Sequence, residues 1–278
     1  MPELPEVETI ARTLAPSVRG RVITGIELID RPLLRKGGRK GLEAMRGRRI
    51  LGVRRRGKML LIECDGGRAF VFHLKMTGQF LFAKSAAPRD KHTRLVIRFD
   101  DGKNALHFRD VRKFGFLLCV EGEPESACRE LASLGPEPLE VGLPEFTAIL
   151  RGRKGRIKSL LLDQTRIAGI GNIYADEMLF DARIHPLTPA SSLSKQAAAR
   201  LYEAMKRTLT MAIEANGSTL RDYRDADGRE GSFQESHKVY GRTGAPCVAC
   251  GTPIRMKRIG GRSSHYCPRC QRRKTRRA

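Results

Sequence analysis

Two features at opposite ends of the sequence are able to do chemistry. The first is the N-terminal segment MPELPEVETI, in which Pro2 and Glu3 directly precede an apolar helical pattern. Removal of the initiator methionine, which is usual ahead of proline, turns Pro2 into a free secondary amine. Such an amine attacks an aldehydic sugar carbon and forms a cationic iminium, a reaction that a backbone amide cannot perform. The N-terminus therefore offers a nucleophile.

The position of Pro2 favours this chemistry. The positive end of a helix disfavours the ammonium form of the amine, which leaves more of the neutral nucleophile. Glu3 lies beside the amine and is placed to protonate a departing or ring oxygen. The alternative is that the Pro-Glu pair only starts a helix, since proline is common in a first turn. On residue types alone we prefer this simpler interpretation.

The second feature is a four-cysteine pattern near the C-terminus, C-x2-C-x16-C-x2-C, formed by Cys247, Cys250, Cys267 and Cys270. Each pair places two thiolates on one tight turn, and the spacer is long enough for a β-hairpin that brings both turns around a tetrahedral zinc ion. Two disulfides are the alternative, but an intracellular chain favours zinc. We expect one structural zinc ion that is closed to substrate.

The composition indicates a polyanionic partner. The 278 residues include 53 Lys+Arg against 30 Asp+Glu, a formal net charge of +23. The apolar content supports one large or two modest cores, which excludes general disorder. No stretch approaches the roughly 18 consecutive apolar residues of a membrane span, and the acidic N-terminus lacks the order of a secretory signal. We expect an intracellular protein without a membrane segment.

The positive charge is concentrated in two blocks. Residues 31–58 contain twelve Lys/Arg and one acid, and residues 241–278 contain eleven Lys/Arg and no acid. A solvated surface usually mixes both signs. Two one-sided blocks so far apart in the chain therefore predict two walls of an anion-binding cleft.

The N-terminal half is predicted to form a helix followed by strands. Val7, Ile10, Leu14 and Val18 recur at helical spacing within residues 3–19. Short runs rich in β-branched and aromatic residues then alternate with Gly and Asp turns, which predicts an eight-stranded β-sandwich. The predicted strands are 22–30, 50–56, 59–64, 68–74, 79–84, 94–99, 104–109 and 115–120.

After a Pro/Gly/Glu-rich linker at 122–144 the pattern becomes helical. Apolar spacing predicts four helices, the last of them stopped by Asn216–Gly217. The polar stretch 217–237 shows no periodicity and predicts a long loop before the zinc hairpin, of the kind that is often functional or disordered. The fold class is therefore α+β. We predict a catalytic β-sandwich domain at 1–135, a helical domain with the loop at 136–237 and a zinc finger at 238–278.

The order of the motifs then resembles a known family. Eight segments occur in one order along the whole chain: MPELPEVETI, RRRGKMLL (54–61), HLKMTG (73–78), HFRDVRKFG (107–115), GPEPL (135–139), AGIGNIYADE (168–177), VYGR (239–242) and the four-cysteine pattern. The chain resembles bacterial formamidopyrimidine-DNA glycosylases, bifunctional glycosylase/AP lyases that remove 8-oxoguanine and ring-opened purines. The resemblance implies a helix–two-turn–helix element in the helical domain.

The resemblance assigns four catalytic roles. Pro2 corresponds to the family's nucleophile and Glu3 to its acid/base group. Lys58 matches the lysine assigned as proton donor for β-elimination, and Arg262 matches the arginine linked to δ-elimination and a backbone phosphate. By spacing alone, Lys58 would be one more phosphate-binding cation and Arg262 an exposed turn residue.

The resemblance also implies a set of DNA contacts. Met76, Arg112 and Phe114 match the intercalating residues that fill the space left by a flipped-out base, whose lost stacking is worth a few kcal/mol. Alternatively, Met76 and Phe114 are ordinary core residues. The remaining DNA contacts implied are His92, Arg153, Lys158 and Asn172, the last two touching phosphate at the helix–two-turn–helix element.

The sequence is compatible with three functions. We expect a bifunctional glycosylase/AP lyase that excises oxidised purines from damaged duplex DNA through a Schiff base on Pro2, with β,δ-elimination, as part of base excision repair. Its setting would be the bacterial cytoplasm and nucleoid, with a monomer as the default. The first alternative is an endonuclease VIII-type enzyme for oxidised pyrimidines, which Leu4, the intact Met76/Arg112/Phe114 set and the long loop disfavour. The second is a non-catalytic zinc-ribbon DNA-binding protein.

Overall fold

The computed structural model describes residues 1–151 and 155–273, so Arg153 lies outside the described residues. Contacts divide the chain into two compact units. The first comprises Met1–Ser133 with Ala215–Ser232, and the second comprises Leu134–Glu214 with the residues from Phe233 onward. The segment Ala215–Ser232 therefore packs with the first unit, although the sequence pattern grouped it with the helices. The predicted domain boundaries stay a prediction.

The first unit opens with helix α1 (Leu4–Val18), whose N-cap is Glu3. Its apolar stripe is buried, with Val7, Leu14 and Val18 each fully shielded from solvent. The stripe belongs to the same core cluster as the sheet residues. Full burial of one such side chain contributes about 1.5–3 kcal/mol, so this packing anchors the helix and the residues that precede it.

Nine strands follow within residues 1–133, all of them described: β1 (Ile23–Leu28), β2 (Leu34–Lys36), β3 (Ile50–Arg56), β4 (Met59–Cys64), β5 (Arg68–His73), β6 (Gly78–Lys84), β7 (Thr93–Phe99), β8 (Asn104–Asp110) and β9 (Phe116–Glu121). They form a four-stranded sheet in the order β1-β7-β8-β6 and a five-stranded sheet in the order β2-β9-β5-β4-β3. The predicted β-sandwich is confirmed. The additional strand β2 has three residues, two of them charged, so no alternating pattern announced it.

Aromatic side chains hold the two sheets together. Phe72 of the five-stranded sheet lies 4.9 Å from Phe80 and 5.3 Å from Phe108 of the four-stranded sheet, measured between ring centroids. All three rings are buried. Such pairs contribute about 0.5–1.5 kcal/mol beyond the burial of their area. They lie close to the strand ends that carry the loops 74–77 and 111–115.

Short helices complete the first unit, and further helices build the described part of the second. The helices are α2 (Gly38–Glu43), α3 (Pro124–Ala127), α4 (Arg129–Ala132), α5 (Leu143–Arg151), α6 (Ile157–Leu162), α7 (Asn172–Asp181) and α8 (Lys195–Glu214). Helix α8 buries Leu201, Met205 and Leu209 along one stripe. The chain then leaves the helix through left-handed Asn216 (φ 57°) and Gly217 (φ 80°), the conformation expected at a helix C-terminus.

The second unit ends in an antiparallel hairpin of β10 (Arg255–Ile259) and β11 (Arg262–Tyr266). The turn is made by Gly260 and Gly261, with φ values of 56° and 76° that favour glycine. Three-residue and four-residue 3-10 turns lie at Arg31–Leu33, Ala190–Ser192 and Phe233–Ser236. In the described ranges we find no helix with the length and apolar character needed to cross a bilayer.

Candidate active site and nucleic-acid interface

The N-terminal pair lies at the buried start of helix α1. Pro2 is buried and Glu3 is only 3% exposed. The Glu3 backbone N–H donates to Glu6 Oε2 over 2.7 Å, which holds the chain in place just before the helix. Because the helix dipole is positive here, the site favours a carboxylate and disfavours an additional positive charge on the amine. This is the environment that the proposed nucleophile requires.

Glu6 is a residue whose role the sequence did not reveal. Its second oxygen, Oε1, accepts the backbone N–H of Ser218 over 2.7 Å. A side chain at Gly217 would lie 2.8 Å from the same carboxyl group, so only glycine fits there. One buried carboxyl group thus ties the segment carrying Glu3 to the start of the 217–237 loop. Residues 212 positions apart share no local pattern that would have shown this.

Tyr223 strengthens the same connection. Its hydroxyl donates to the carbonyl oxygen of Asn216 over 3.0 Å and lies 3.4 Å from the carbonyl oxygen of Glu6. Burial and the nearby Glu6 charge raise the pKa of Tyr223, so the hydroxyl keeps its proton as a donor. The segment Ala215–Ser232 also closes at its ends, where the Ser232 N–H donates to Ala215 O over 2.9 Å. The first part of the loop is therefore an ordered structure that rests on helix α1.

Lys58 lies in the turn between β3 and β4, directly after left-handed Gly57, and is 8% exposed. Its neighbour His73 loses its positive charge, since burial and the charges of Lys75, Lys58 and Arg35 lower the pKa of His73 to about 3. The His73 Nδ1 accepts the Lys75 N–H over 3.0 Å, which places the proton of the neutral ring on Nε2. A neutral histidine avoids adding another positive charge beside Lys58.

Part of the predicted basic wall at 31–58 is neutralised inside the first unit. Arg54 lies 2.6 Å from a carboxylate oxygen of Glu63 and 2.6 Å from one of Glu125. The hydrogen bond to Glu125 is the main reason that the pKa of Arg54 is raised. Arg55 pairs with Glu8 at 3.0 Å. These arginines therefore support the fold, and the exposed cations of the block remain as candidates for phosphate contacts.

The three predicted intercalating residues lie on two loops of the sandwich. Met76 is 40% exposed in the loop between β5 and β6, and Phe114 is 50% exposed in the loop between β8 and β9. The Arg112 guanidinium lies 4.6 Å from the centroid of the Phe114 ring. The alternative that Met76 and Phe114 are core residues is therefore wrong, because both project into solvent. His92 is half-buried at the start of β7.

Asp110 joins these two loops, and the sequence pattern did not single it out. It is fully buried, with the Thr77 hydroxyl donating to Oδ1 over 2.5 Å and the Gly115 N–H donating to Oδ2 over 2.7 Å. The Arg112 N–H in turn donates to Thr77 Oγ1 over 3.0 Å. The backbone N–H of Asp110 donates to the carbonyl of His92 over 3.0 Å. The sequence does contain one indication of this role: Asp110 is an acidic residue at the end of a buried strand, five positions before Gly115.

We expect Asp110→Asn to lower the free energy of unfolding of the protein by about 1–3 kcal/mol, since asparagine keeps only one of the two acceptor oxygens that the loops use. Denaturant unfolding measures this change. Asp100→Asn is the matched control, because Asp100 is exposed at the β7–β8 turn. Equal stabilities of the two variants would show that Asp110 does not hold the loops.

In the second unit, helices α6 and α7 are joined by a turn that a glutamine shapes. Gln164 Oε1 accepts the N–H of Gly169 over 2.9 Å, and its Nε2 donates to the carbonyl of Ile170 over 2.9 Å. Gly169 is left-handed, with φ 82°. Helix α7 then begins at Asn172, so its positive end lies at this turn. A helix start of this kind suits a phosphate group.

Lys158 lies in helix α6, at the element where the resemblance placed it, but not in the solvent-exposed setting of a phosphate contact. It is fully buried, and its Nζ donates to Asp176 Oδ1 over 2.6 Å and to the Ser263 carbonyl over 2.7 Å. The expected phosphate contact is therefore not favoured, because this ammonium already bonds helix α7 and the hairpin. The other Asp176 oxygen accepts the His265 N–H over 2.9 Å. Asn172 adds a contact of 3.4 Å from Nδ2 to Ser263 Oγ.

Arg262 is the first residue of β11 and is exposed. Its place follows from the Gly260–Gly261 turn before it and from the bonds of Asp176 to the strand behind it. The hairpin thus presents a guanidinium on a rigid support. By sequence alone the same residue was only an exposed turn position.

The four cysteines converge as predicted. Their Sγ atoms all lie within 4.8 Å of one another, with Cys247–Cys270 at 3.9 Å and Cys250–Cys267 at 3.5 Å. Zinc–sulfur bonds of about 2.3 Å in a tetrahedron require sulfur atoms about 3.8 Å apart, so the cluster fits zinc. Val239, Ile254 and Phe180 pack against the cluster in a small separate core.

A buried glutamate attaches the chain to this core. The Glu177 carboxyl group accepts three consecutive backbone N–H groups, from Lys238 at 2.9 Å, Val239 at 3.0 Å and Tyr240 at 2.8 Å. Burial raises the pKa of Glu177, and the three hydrogen bonds oppose that rise. The motif VYGR is therefore a docking segment for the end of helix α7, which the sequence did not disclose.

Removal of zinc by a chelator is expected to release the β10–β11 hairpin while the β-sandwich stays folded, because the two have separate cores. Hydrogen exchange followed strand by strand measures this difference. Cys128→Ser is the control, since Cys128 lies outside the four-cysteine cluster and its variant should keep its zinc. Simultaneous loss of protection in the sandwich would contradict the expectation.

Comparison with known proteins agrees with this architecture. The formamidopyrimidine-DNA glycosylase N-terminal domain matches residues 1–117, and the H2TH domain of the same glycosylases matches residues 134–224. A zinc finger found in FPG and IleRS matches residues 244–273. Fold and site together define a DNA glycosylase of the helix–two-turn–helix class, with one structural zinc ion held by the four cysteines.

Individual relatives narrow the assignment. A formamidopyrimidine-DNA glycosylase of Solibacter usitatus is 50% identical over 98% of this chain and 100% of its own. The MutM (Fpg) protein of Thermus thermophilus is 44% identical, with a TM-score of 0.88 over 97% of this chain and 98% of its own. A Lactococcus lactis Fpg variant bound to Fapy-dG DNA has a TM-score of 0.92 at 35% identity over 98% of this chain and 100% of its own.

The chain belongs to the formamidopyrimidine-DNA glycosylase family and is an enzyme that acts on damaged DNA. The resemblance seen in the motifs, the α+β fold class and the zinc ion are thereby confirmed. The N-terminal domain model includes the Pro2–Glu3 pair, and the zinc-finger model includes the four-cysteine hairpin.

Proposed function

We propose that this enzyme excises oxidised purines, 8-oxoguanine and formamidopyrimidines, from duplex DNA and then cleaves the strand. The observation that carries the proposal is the buried Pro2–Glu3 pair at the positive end of helix α1 in a chain of this family. Relatives support the substrate class: one solved complex contains Fapy-dG DNA, and a MutM complex contains carbocyclic 8-oxo-G DNA.

The chemistry begins at the Pro2 nitrogen. With Met1 removed, this nitrogen attacks C1′ of the damaged nucleotide, and the bond from C1′ to the base breaks with its electron pair leaving on the base. The departing base takes up the proton that the Pro2 nitrogen loses. Glu3 gives a proton to the ring oxygen as the sugar opens, which leaves an iminium between Pro2 and C1′. The iminium is the Schiff base that defines a lyase.

The strand is then cut by two eliminations. The iminium makes the proton on C2′ acidic, and loss of this proton expels the 3′ phosphate. Lys58 acts as the proton donor in this step and gives a proton to the departing phosphate. A second elimination expels the 5′ phosphate, which Arg262 holds through its guanidinium. A one-nucleotide gap remains, as a base excision repair pathway requires.

Side chains of the sandwich loops and of helix α7 supply the DNA contacts in this proposal. Met76 and Phe114 enter the space left by the flipped-out base, and Arg112 pairs with the orphaned base opposite. Asn172 at the start of α7 and His92 contact phosphates. The loop that Glu6 anchors closes over the extruded base. We place the enzyme, as a monomer without membrane attachment, on chromosomal DNA in the bacterial cytoplasm.

The test compares two lesions with one enzyme. We expect faster excision of 8-oxoguanine opposite cytosine than of thymine glycol, with a borohydride-trapped covalent adduct on the purine substrate. A strong preference for thymine glycol would instead support the endonuclease VIII-type alternative. Binding without any excision or adduct would support a non-catalytic DNA-binding protein.

A further inference from the structure

An open groove of about 980 Å³ lies in the second unit, away from every residue assigned above. Four exposed arginines line it, Arg183, Arg200, Arg272 and Arg273, and we call it the arginine groove. Its remaining lining includes His185 and serines near the start of helix α8. No aspartate or glutamate lines it, and no described carboxylate pairs with any of the four guanidinium groups at 4.0 Å or less. The groove is therefore strongly cationic.

Several elements hold the groove in shape. The Gln271 side chain donates to the Ile184 carbonyl over 2.9 Å and accepts the Cys267 N–H over 2.8 Å, which fixes the chain that carries Arg272 beside the end of helix α7. The His185 ring packs against Tyr266 with centroids 4.5 Å apart. The groove is thus attached to the zinc hairpin through its own contacts.

Two further features favour an anion. Helix α8 begins at Lys195 with no acidic residue in its first turn, and Ser194 Oγ accepts the N–H of Ala197 over 3.2 Å. The positive end of a twenty-residue helix therefore faces the same groove. Arg183 occupies a left-handed position, φ 59°, where glycine is usual, so the chain keeps an arginine at a conformational cost.

The arginine groove is separate from the phosphate site expected at Asn172. Arg183 follows the C-terminus of helix α7, whereas Asn172 is the first residue of that helix. A ten-residue helix is about 15 Å long, so one phosphate cannot contact both ends. The positive charge at the C-terminal end of α7 would therefore bind a different stretch of polyanion from the one at Asn172.

We propose that the arginine groove is a second, non-catalytic site for the sugar–phosphate backbone of DNA outside the lesion. It goes beyond the proposed excision chemistry and does not depend on it. Four guanidinium groups favour phosphates, because each can donate two parallel hydrogen bonds to the phosphate oxygens. The site gives the enzyme a hold on long DNA that a short lesion duplex does not engage.

The experiment compares Arg200→Gln/Arg272→Gln with Arg19→Gln/Arg129→Gln in the zinc-loaded full-length protein. Arg19 and Arg129 are exposed in the first unit, so both variants lose two surface charges. Binding is measured across salt concentrations on a long undamaged duplex and on a short duplex with an uncleavable abasic-site analogue. In a plot of the logarithm of the binding constant against the logarithm of the salt concentration, each phosphate contact contributes about 0.9 to the slope. On the long duplex we therefore expect the slope of the groove variant to be smaller in magnitude by about two.

Binding and excision on short lesion duplexes should match the control, and Arg200→Lys/Arg272→Lys should restore the slope on long DNA. An unchanged slope on the long duplex overturns the proposal, as does an equal loss on both duplexes. Weaker binding of inorganic triphosphate without any change on long DNA would assign the groove to a small phosphorylated ligand and overturn it too. Because the long duplex has no lesion, failure of the excision chemistry would leave this readout intact.

Discussion

Protein that retains Met1, or whose Pro2 nitrogen is acetylated, is expected to give no borohydride-trapped adduct with an 8-oxoguanine duplex. An acylated nitrogen has no available lone pair, so the attack on C1′ cannot occur. Excision should fall by about three orders of magnitude or more, the scale seen when a nucleophile is removed. Adduct formation on denaturing gels and single-turnover excision rates measure the effect.

Variants sharpen the assignment of Pro2. Pro2→Gly replaces the secondary amine with a primary amine, so a slower adduct is expected, because the primary amine lacks the proline ring and its basicity. Pro16→Ala is the matched control, since Pro16 is exposed on the same helix far from its start. An adduct of undiminished yield from the acetylated protein would transfer the nucleophile to another group, with Lys58 the first to examine.

Glu3→Gln is expected to lower base excision by about 10²–10⁴-fold, because glutamine cannot supply the proton that the opening sugar requires. The helix start should survive. The residue 3 backbone N–H still donates to Glu6, and the glutamine side-chain oxygen can still accept the Glu6 backbone N–H of the capping box. On DNA with a preformed abasic site the sugar is already open, so strand cleavage and the trapped adduct should remain near the normal level. Rates on the two substrates measure the difference.

The control for Glu3 is Glu8→Gln, on the same helix and half-buried, whose carboxylate pairs with Arg12 and Arg55. It should behave as the unmodified protein in both assays. Equal losses on the lesion and on the abasic substrate would show that Glu3→Gln disturbs the whole N-terminal region. In that case a proton-transfer role for Glu3 would be contradicted.

Local pattern was enough to predict most of the elements. The strands Ile50–Arg56 and Met59–Cys64 fall at their predicted bounds, because each contains its own run of apolar and β-branched residues. Strand β2 was not predicted, because this strand of three residues, which pairs with β9, has no such pattern. The packing of Ala215–Ser232 with the first unit was equally hidden, because it depends on Glu6, Tyr223 and their distant partners.

The roles of charged side chains were the hardest feature to predict from the sequence. Lys158 and Arg54 were predicted to be cations for DNA, yet the structure gives them Asp176 and Glu125 as partners. A buried ammonium must find such partners because desolvation of an isolated charge costs several kcal/mol. Conversely, Arg183 and Arg200 attracted no attention in the sequence, where they stand in mixed surroundings, and the folded chain brings them together with Arg272.

The sequence by itself determined the nucleophile candidate, the zinc ligands and the order of strands and helices, since each rests on residues close together in the chain. Only the tertiary structure decided which side chains hold these parts in place. Asp110 joins the loops that carry Met76 and Phe114, Glu6 joins the N-terminus to the loop at Ser218, and Asp176 joins helix α7 to the hairpin. Each of these buried carboxyl groups bonds to partners that are distant in the sequence. Because the partners are brought together only by folding, no local spacing of residues predicts them.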